Sequence, residues 1–306
     1  KLPIETDLRL VSIFFSLLSM FFLYSLVKKY DGVTSALLTV GVFGFLPYSI
    51  YYSRAILPEM TAVGLALGAI YFLDSVIGLW TSPKIPISGS RDQNDGKKYI
   101  LFVLSAVFSA AALLVKPTVG FLLLPIAYIW VKDKKLKVFL DPMFYLYGLI
   151  TLLPFILWRI WIKQFPEGIP AYDWLLNGGN IRFTGAFFRW MIAERLGKLI
   201  LGYTGMFLLF LGLVTSLTRK SFIFGSLLIG TILYVIIFAR GNVQHDYYQI
   251  FLIPVIAVYV GRGISSLLNN KLKVNRVVSL AVAGVTVLGM LAFSWYEVRG
   301  YYWINH

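Results

Sequence analysis

Residues 7 to 32 read DLRLVSIFFSLLSMFFLYSLVKKYDG, and no charged residue lies between Arg9 and Lys28. Residues 10–27 therefore form one apolar run with charges at both ends. A membrane-spanning helix needs roughly 20 largely apolar residues, within a range of about 17 to 25. This stretch predicts a helix that crosses a bilayer.

The rest of the chain has the same character. Of its 306 residues, 58% are hydrophobic, 17% are aromatic and only 14% are charged, and its mean hydropathy is +0.77. Soluble domains carry roughly 25% charged residues. The composition predicts an integral membrane protein.

Apolar runs of suitable length predict about ten spans, so the expected fold is an all-α, polytopic transmembrane helical bundle. Two of the runs are short but are bracketed by polar residues. The ten runs are 10–27, 33–53, 61–80, 99–115, 118–131, 143–162, 199–217, 221–239, 247–261 and 277–295.

The net charge of +14 follows the loops. With residue 9 placed outside, more than half of the Lys and Arg residues fall in alternate inner loops, as the positive-inside rule requires. Both ends of the chain then lie outside, and no nucleic-acid partner is expected. These inner basic residues are Lys28, Lys29, Lys84, Arg91, Lys97, Lys98, Lys132, Lys134, Lys135, Lys137, Arg219, Lys220, Arg262, Lys271, Lys273 and Arg276.

The chain reads as one transmembrane module over residues 1–306, without a soluble domain. It has no cysteine, which excludes disulfides, thiolate metal sites and cysteine nucleophiles. Its first residues, KLPIETDLRL, carry neither an initiator Met nor a signal-peptide pattern. We therefore expect the chain to begin within a longer gene product.

The outer segment 163–198 ends in a stretch with helical periodicity. Aromatic and apolar side chains oppose basic ones there, which predicts an outer-face interfacial helix over 181–198 with its basic face toward lipid headgroups. The alternative is the frayed start of the next span. The two faces consist of Phe183, Phe187 and Met191, and of Arg182, Arg189 and Arg195.

Ionisable residues next to hydrocarbon usually face a protein interior or a watery cavity, so each is a candidate site residue. In the predicted topology they converge on the outer face. They are Arg54, Glu59, Lys116, Arg240, His245 and Asp246.

The first two lie in YSIYYSRAILPEM, residues 48–60. Pro58 suits the first turn of a helix, and Glu59 beside it would meet the positive end of the helix dipole. Arg54 would then be an interfacial cation or an ion-pair partner. The other interpretation makes Arg54 and Glu59 part of a binding site.

Lys116, in LLVKPTVGF, has no acid nearby in sequence. A bound phosphate or carboxylate would explain it, and so would an ion pair with a distant acid such as Glu59 or Asp246. The segment His245 to Gln249 reads HDYYQ and offers an imidazole, a carboxylate, two phenols and an amide. These groups suit a sugar or a phosphate, although tyrosines also occur in interfacial aromatic belts.

Three pieces, in this order, resemble the GT-C superfamily of membrane glycosyltransferases, especially its protein mannosyltransferase and aminoarabinose transferase branch. The first is DLRLVSIFFSLLSMFFLYSLVKKYDG with FLPYSIYYSRAILPEM, the second is LLVKPTVGFLLLP, and the third is HDYYQIFLIPVIAVYVGRG. The resemblance covers nearly the whole chain, and the first piece is the most specific.

The resemblance implies an inverting enzyme of the cytoplasmic membrane whose active face points outward. Its donor would be a polyprenyl-phosphate sugar, and its acceptor a lipid, glycan or protein. By position, Glu59 and Asp246 would be supporting acids. Substrate would be bound by Arg54, Lys116, His245, Tyr247, Tyr248 and Gln249.

The family's catalytic acid lies in a first outer loop after a first helix, and this chain begins downstream of that position. Glu5 and Asp7 do not match the motif, so the resemblance places the base upstream of Lys1. In the family, the acid equivalent to Glu59 sometimes contributes to a metal site, so a divalent metal is possible there.

A transporter or flippase for a lipid-linked or anionic substrate is the main alternative. Its signature would be ionisable groups and broken helices near the midplane, in two repeated halves. Here the ionisable groups cluster at one face, and mainly Asp74 lies toward the inner end. A non-catalytic membrane scaffold is a third possibility.

Overall fold

The protein is described from a computed structural model that covers residues 4–80, 91–168, 173–217, 221–269 and 275–303. In these ranges 91% of the residues are helical and none is in a strand. The prediction of an all-α fold is confirmed.

The described ranges contain fourteen α-helices, which we number in chain order. They are α1 (Ile4–Asp31), α2 (Val33–Phe45), α3 (Pro47–Ser53), α4 (Pro58–Trp80), α5 (Arg91–Val115), α6 (Leu124–Lys134), α7 (Pro142–Trp161), α8 (Asp173–Asn177), α9 (Gly185–Phe188), α10 (Gly205–Ser216), α11 (Ile223–Ile237), α12 (Ala239–Gln244), α13 (Ile253–Leu268) and α14 (Arg276–Val298).

By length and composition, six described helical stretches can cross a membrane, or up to eight if each of two bent pairs forms one span. The bent pairs are α2 with α3, at 66°, and Gly185–Ile200 with α10, at 111°. The helices at two of the predicted spans, 118–131 and 221–239, are shorter. The multi-pass character is thus supported, and the count of ten stays a prediction.

Two predicted spans begin as 3₁₀ helix. Pro117–Leu123 precedes α6, and Asp246–Leu252 precedes α13. Pro117 accounts for the first break, because a residue before proline is driven out of the helical region. Lys116 accordingly has an extended backbone, with φ −154° and ψ 107°, and α5 ends at Val115.

Helix α13 forms the centre of the bundle and packs against α2 and α10. The 18-residue apolar window within Asp246–Leu268 is wholly buried inside the protein. Small residues allow this close packing. A Cβ on Gly212 would lie 1.7 Å from the Tyr259 carbonyl oxygen, and one on Gly263 would lie 2.1 Å from that of Leu208.

Helix α7 is the opposite case. Only 11% of its apolar window is buried, and it packs mainly against α5. Leu149, Ile156 and Leu157 are each about half exposed. Such a surface would be unfavourable in water, so α7 supports the interpretation that the bundle is surrounded by lipid.

The outer segment turns sharply before the next span. A π-helix, Arg189–Ile200, follows α9, and the turn at 201–204 separates it from α10 by the 111° bend. Gly202 has φ 49°, and a Cβ there would lie 2.6 Å from the Met290 carbonyl oxygen. The segment therefore does not continue into α10, which argues against the frayed-start alternative.

The predicted faces of this segment are wrong in part. Phe187 and Met191 pack against α12 and are 3% and 6% exposed, so they do not face acyl chains. Arg182 donates to the Ile237 carbonyl at 2.8 Å, and Arg195 donates to that of Val243 at 3.0 Å. Of the three arginines, Arg189 can still face headgroups, because its side chain is 77% exposed although it pairs with Glu194 at 3.8 Å.

Ion pairs at the predicted inner end join neighbouring helices. Asp31 of α1 pairs with Arg262 of α13 at 2.7 Å, and Lys29 pairs with Asp74 of α4 at 2.6 Å. Because these residues are in contact, the parts of α1, α4 and α13 that carry them lie at the same end of the bundle, as the topology predicts. Lys84, Arg219, Lys220, Lys271 and Lys273 lie outside the described residues.

Candidate functional site

A buried ion pair lies at the end of the bundle that the sequence predicts to be outside the membrane, which we call the outer end. Glu59 is the second residue of α4, Lys116 is the residue that joins α5 to the first 3₁₀ helix, and Lys116 Nζ contacts Glu59 Oε1. The Glu59 side chain is 1% exposed and the Lys116 side chain is 16% exposed. Of the alternatives for Lys116, the ion pair with a distant acid is present, and that acid is Glu59.

Aromatic rings of the second 3₁₀ helix cover this pair. Lys116 Nζ lies 4.3 Å from the centre of the Tyr248 ring and 5.7 Å from those of Tyr247 and Phe251. A cation is stabilised over the face of such rings. Segments near residues 59, 116 and 248 are thus brought together although they are distant in sequence.

The pair is not fully satisfied. Glu59 Oε2 is buried and has no hydrogen-bond partner among the described residues, and the same is true of Thr118 Oγ1. Leaving a buried acceptor unpaired costs about 1–3 kcal/mol, and more when the acceptor is charged. A ligand or a water that donates to Glu59 Oε2 would remove this cost.

Burial also affects the lysine. It lowers the pKa of the Lys116 amine below its ordinary value, and the charge of the adjacent Glu59 carboxylate opposes that shift. Burial outweighs the attraction of Glu59, so the Lys116 amine loses its proton more easily than an exposed lysine.

Gln249 is fully buried and follows Tyr248 in the second 3₁₀ helix. Its Nε2 donates to the Asn242 carbonyl at 2.8 Å and to Asn242 Oδ1 at 3.2 Å, which ties the 3₁₀ helix to α12. Its Oε1 is buried without a partner in the described part of the chain. Gln249 is predicted to bind substrate, and the hydrogen bonds that it donates in the structure go to Asn242.

His245 and Asp246 point to different neighbours. The His245 ring lies 5.5 Å from Trp174 and 5.2 Å from Tyr247. Asp246 Oδ2 accepts a hydrogen bond from the Tyr301 hydroxyl at 2.6 Å. The Asp246 carbonyl oxygen accepts another from the Tyr48 hydroxyl, also at 2.6 Å.

Sequence reasoning missed Tyr48 and Tyr301. The available signal was the density of tyrosine in residues 48–52 and 301–302, because a buried hydroxyl usually has a hydrogen-bond partner. Tyr48 is fully buried, and its ring lies 4.6 Å from that of Tyr52.

Arg54 is not part of this ion pair. Its guanidinium carbon lies 4.4 Å from the centre of the Tyr302 ring and 6.0 Å from that of Tyr51. Glu59 contacts Lys116, so the two charged residues of the 48–60 stretch have different partners. The structure brings together Glu59, Lys116, Tyr247 and Tyr248, and it places Arg54 in a separate cavity.

A divalent metal does not fit at Glu59. Within the described ranges no group of three or more His, Asp or Glu side chains is close enough to bind a metal ion. The positively charged Lys116 amine already pairs with the carboxylate that a metal ion would need.

The chain was compared with protein-family models, curated proteins and solved structures, and none of the three comparisons gives a match. The likeness to GT-C glycosyltransferases therefore rests on the sequence motifs alone.

Proposed function

We propose that the chain is the membrane module of a glycosyltransferase of the GT-C type. It would transfer a sugar from a polyprenyl-phosphate donor to a lipid, glycan or protein at the outer face of the cytoplasmic membrane. The proposal includes the topology of about ten spans, with both ends of the chain outside.

One observation carries the proposal. The three pieces of sequence that carry the resemblance supply Glu59, Lys116 and Tyr248, and these residues meet in one buried cluster. The pieces are far apart in the chain, so unrelated apolar spans would not be expected to bring them together. The unpartnered Glu59 Oε2 further suggests that the cluster receives a ligand.

The chemistry needed for transfer agrees with this arrangement. The bond between the sugar C1 and the phosphate oxygen breaks as C1 bonds to the acceptor oxygen, with inversion at C1. Lys116 would move from Glu59 to the departing phosphate and stabilise its growing negative charge. The acceptor hydroxyl would lose its proton to a carboxylate base, with Glu59 and Asp246 as supporting acids.

The test uses the purified protein in liposomes, supplied with polyprenyl-phosphate mannose or polyprenyl-phosphate aminoarabinose. The readout is the release of polyprenyl phosphate. Lys116→Met and Glu59→Gln should each lower turnover by at least about tenfold, because one charge-assisted contact is worth about 1.5–3 kcal/mol.

Lys198→Met is the matched control. Lys198 also pairs with an acid near the outer end, Glu297 at 3.1 Å, but its side chain is 39% exposed. It should retain full turnover. Full activity in Lys116→Met and in Glu59→Gln would remove this cluster from the reaction.

Transport of a lipid-linked or anionic substrate is the competing function. The buried ion pairs described above lie toward the two predicted ends of the bundle, whereas a transporter is expected to carry ionisable groups near the midplane. Uptake of a labelled substrate into liposomes without any sugar transfer would favour the transporter.

A further inference from the structure

A second polar cavity lies at the outer end, between α1 and the turn that joins α3 to α4. Its volume is about 610 Å³. Two arginines and two tyrosines line it together with apolar side chains. The lining residues used below are Arg9, Leu10, Ile13, Arg54, Ile56 and Tyr302.

The cavity has an excess of positive charge. Arg9 Nη2 pairs with Glu5 Oε1 at 2.7 Å, which offsets one of the two guanidinium charges. Arg54 is exposed and, among the described residues, no carboxylate forms an ion pair with it. Its guanidinium carbon lies 4.4 Å from the centre of the Tyr302 ring, and its N–H groups donate no hydrogen bond to a described residue, so they are available to a ligand.

The opposite side of the cavity is apolar and open. Leu10 is 49% exposed, Ile13 is 37% exposed, and Ile56 across from them is 45% exposed. Leu10 and Ile13 begin the predicted span 10–27, so these side chains lie where headgroup meets hydrocarbon. An anion with an apolar tail would satisfy both sides of the cavity at once.

The backbone around the cavity is already fixed. Ser12 Oγ donates to the Ala55 carbonyl at 2.7 Å, and Arg9 Nη1 donates to the Arg54 carbonyl at 3.1 Å. These bonds hold the outer end of α1 against the turn. The ligand would therefore not need to order the turn when it binds.

We infer that this cavity binds the phosphate group of a lipid from the outer leaflet. The phosphate would lie between Arg54 and Arg9, because a guanidinium can donate two parallel hydrogen bonds to phosphate oxygens. The first methylenes of the lipid would pack along Leu10 and Ile13. The site is distinct from the Glu59–Lys116 cluster and does not depend on the proposed sugar transfer.

The experiment measures binding to the purified full chain in neutral detergent by isothermal titration calorimetry. The probes are dihexanoylphosphatidylglycerol, inorganic phosphate and dihexanoylglycerol. The variants are Arg54→Gln and Arg54→Lys, with Arg189→Gln as the matched control, since Arg189 is a 77% exposed arginine elsewhere on the outer end.

The phosphatidylglycerol should bind more tightly than either other probe, and Arg54→Gln should weaken it by about tenfold. Arg54→Lys should weaken it less, because the charge remains while the paired donors are lost. Arg189→Gln should leave it unchanged. Size-exclusion chromatography of each variant checks that the chain is folded.

Three outcomes would overturn the inference. Unchanged lipid binding in Arg54→Gln would remove the site. Equal weakening in Arg189→Gln would assign the binding to general surface charge. Inorganic phosphate that binds as tightly as the lipid would show that the apolar wall contributes nothing and that the ligand is a free anion.

Discussion

Among the described residues, the two most buried ion pairs lie at opposite ends of the bundle and differ in how completely they are satisfied. At the inner end, Arg262 pairs with Asp31 at 2.7 Å, and the side chains are 4% and 1% exposed. Arg262 Nη1 also donates to Ser216 Oγ at 2.9 Å, and the guanidinium carbon lies 4.9 Å from the Phe224 ring centre.

At the outer end, the Glu59–Lys116 pair keeps one buried carboxylate oxygen without a partner in the described residues, and its lysine is 16% exposed. The inner pair has no such atom. A saturated pair serves to hold helices together, whereas an unsaturated one has capacity left for a ligand. The comparison predicts that the inner pair matters most for stability and the outer pair most for binding.

The largest effect is expected at the inner end. Arg262→Met removes the guanidinium that neutralises the Asp31 carboxylate, and breaking a buried pair from one side costs about 3–5 kcal/mol. The free energy of unfolding can be measured in mixed micelles by titration with SDS. The double variant Asp31→Leu with Arg262→Met should recover most of the lost free energy of unfolding. If Arg262→Met alone lost less than about 1 kcal/mol, the inner pair would not be the main stabilising pair.

A smaller loss is expected for Glu59→Gln at the outer end. The amide oxygen can still accept from Lys116, which also keeps its contact with Tyr248, so the cost should be about 1–3 kcal/mol in the same titration. Glu297→Gln, in a pair whose acid is 27% exposed, should cost about 0–1 kcal/mol. A loss equal to that of Arg262→Met would mean that both pairs are structural.

Tyr301→Phe tests the hydrogen bond that holds Asp246. It removes the hydroxyl that donates to Asp246 Oδ2 at 2.6 Å, and a bond to a charged acceptor is worth about 1.5–3 kcal/mol when buried. Because Tyr301 is only partly buried, we expect a loss of about 1 kcal/mol. Tyr302→Phe is the control, since the Tyr302 hydroxyl forms no hydrogen bond with a described residue, and equal losses in both would exclude a role for the bond.

The smallest effect is expected for Lys29→Met, although Lys29 pairs with Asp74 at 2.6 Å. Its side chain is 45% exposed, and the Tyr30 hydroxyl still donates to Asp74 when the lysine is gone. Such pairs contribute about 0–1 kcal/mol. If this variant is as unstable as Arg262→Met, burial is not what separates the pairs.

The long spans could be predicted from the sequence because bilayer thickness sets the length of an apolar run. The run 61–80 lies within α4, and 99–115 lies within α5. Glu59 in the first turn of α4, after Pro58, also follows from local rules for helix starts. The contact between Lys116 and Glu59 was one of two named ion pairs, and sequence could not choose between them.

The remaining features depend on side-chain direction and on which helices are neighbours. Arg54 and Glu59 are five residues apart, yet the turn at 54–57 directs one to Tyr302 and the other to Lys116. Helical periodicity gave the outer segment a basic face, but Arg182 and Arg195 bind carbonyls of a distant segment. Periodicity describes one helix and carries no information about the backbone packed against it.

The two 3₁₀ helices affect how far the chain travels per residue. A 3₁₀ helix rises about 2.0 Å per residue, against about 1.5 Å in an α-helix. Pro117–Leu123 followed by Leu124–Lys134 therefore extends about 30 Å, which equals the hydrocarbon thickness of a typical bilayer. The stretching begins directly after Lys116 in one predicted span and at Asp246 in the other, so it extends both residues farther toward the predicted outer surface.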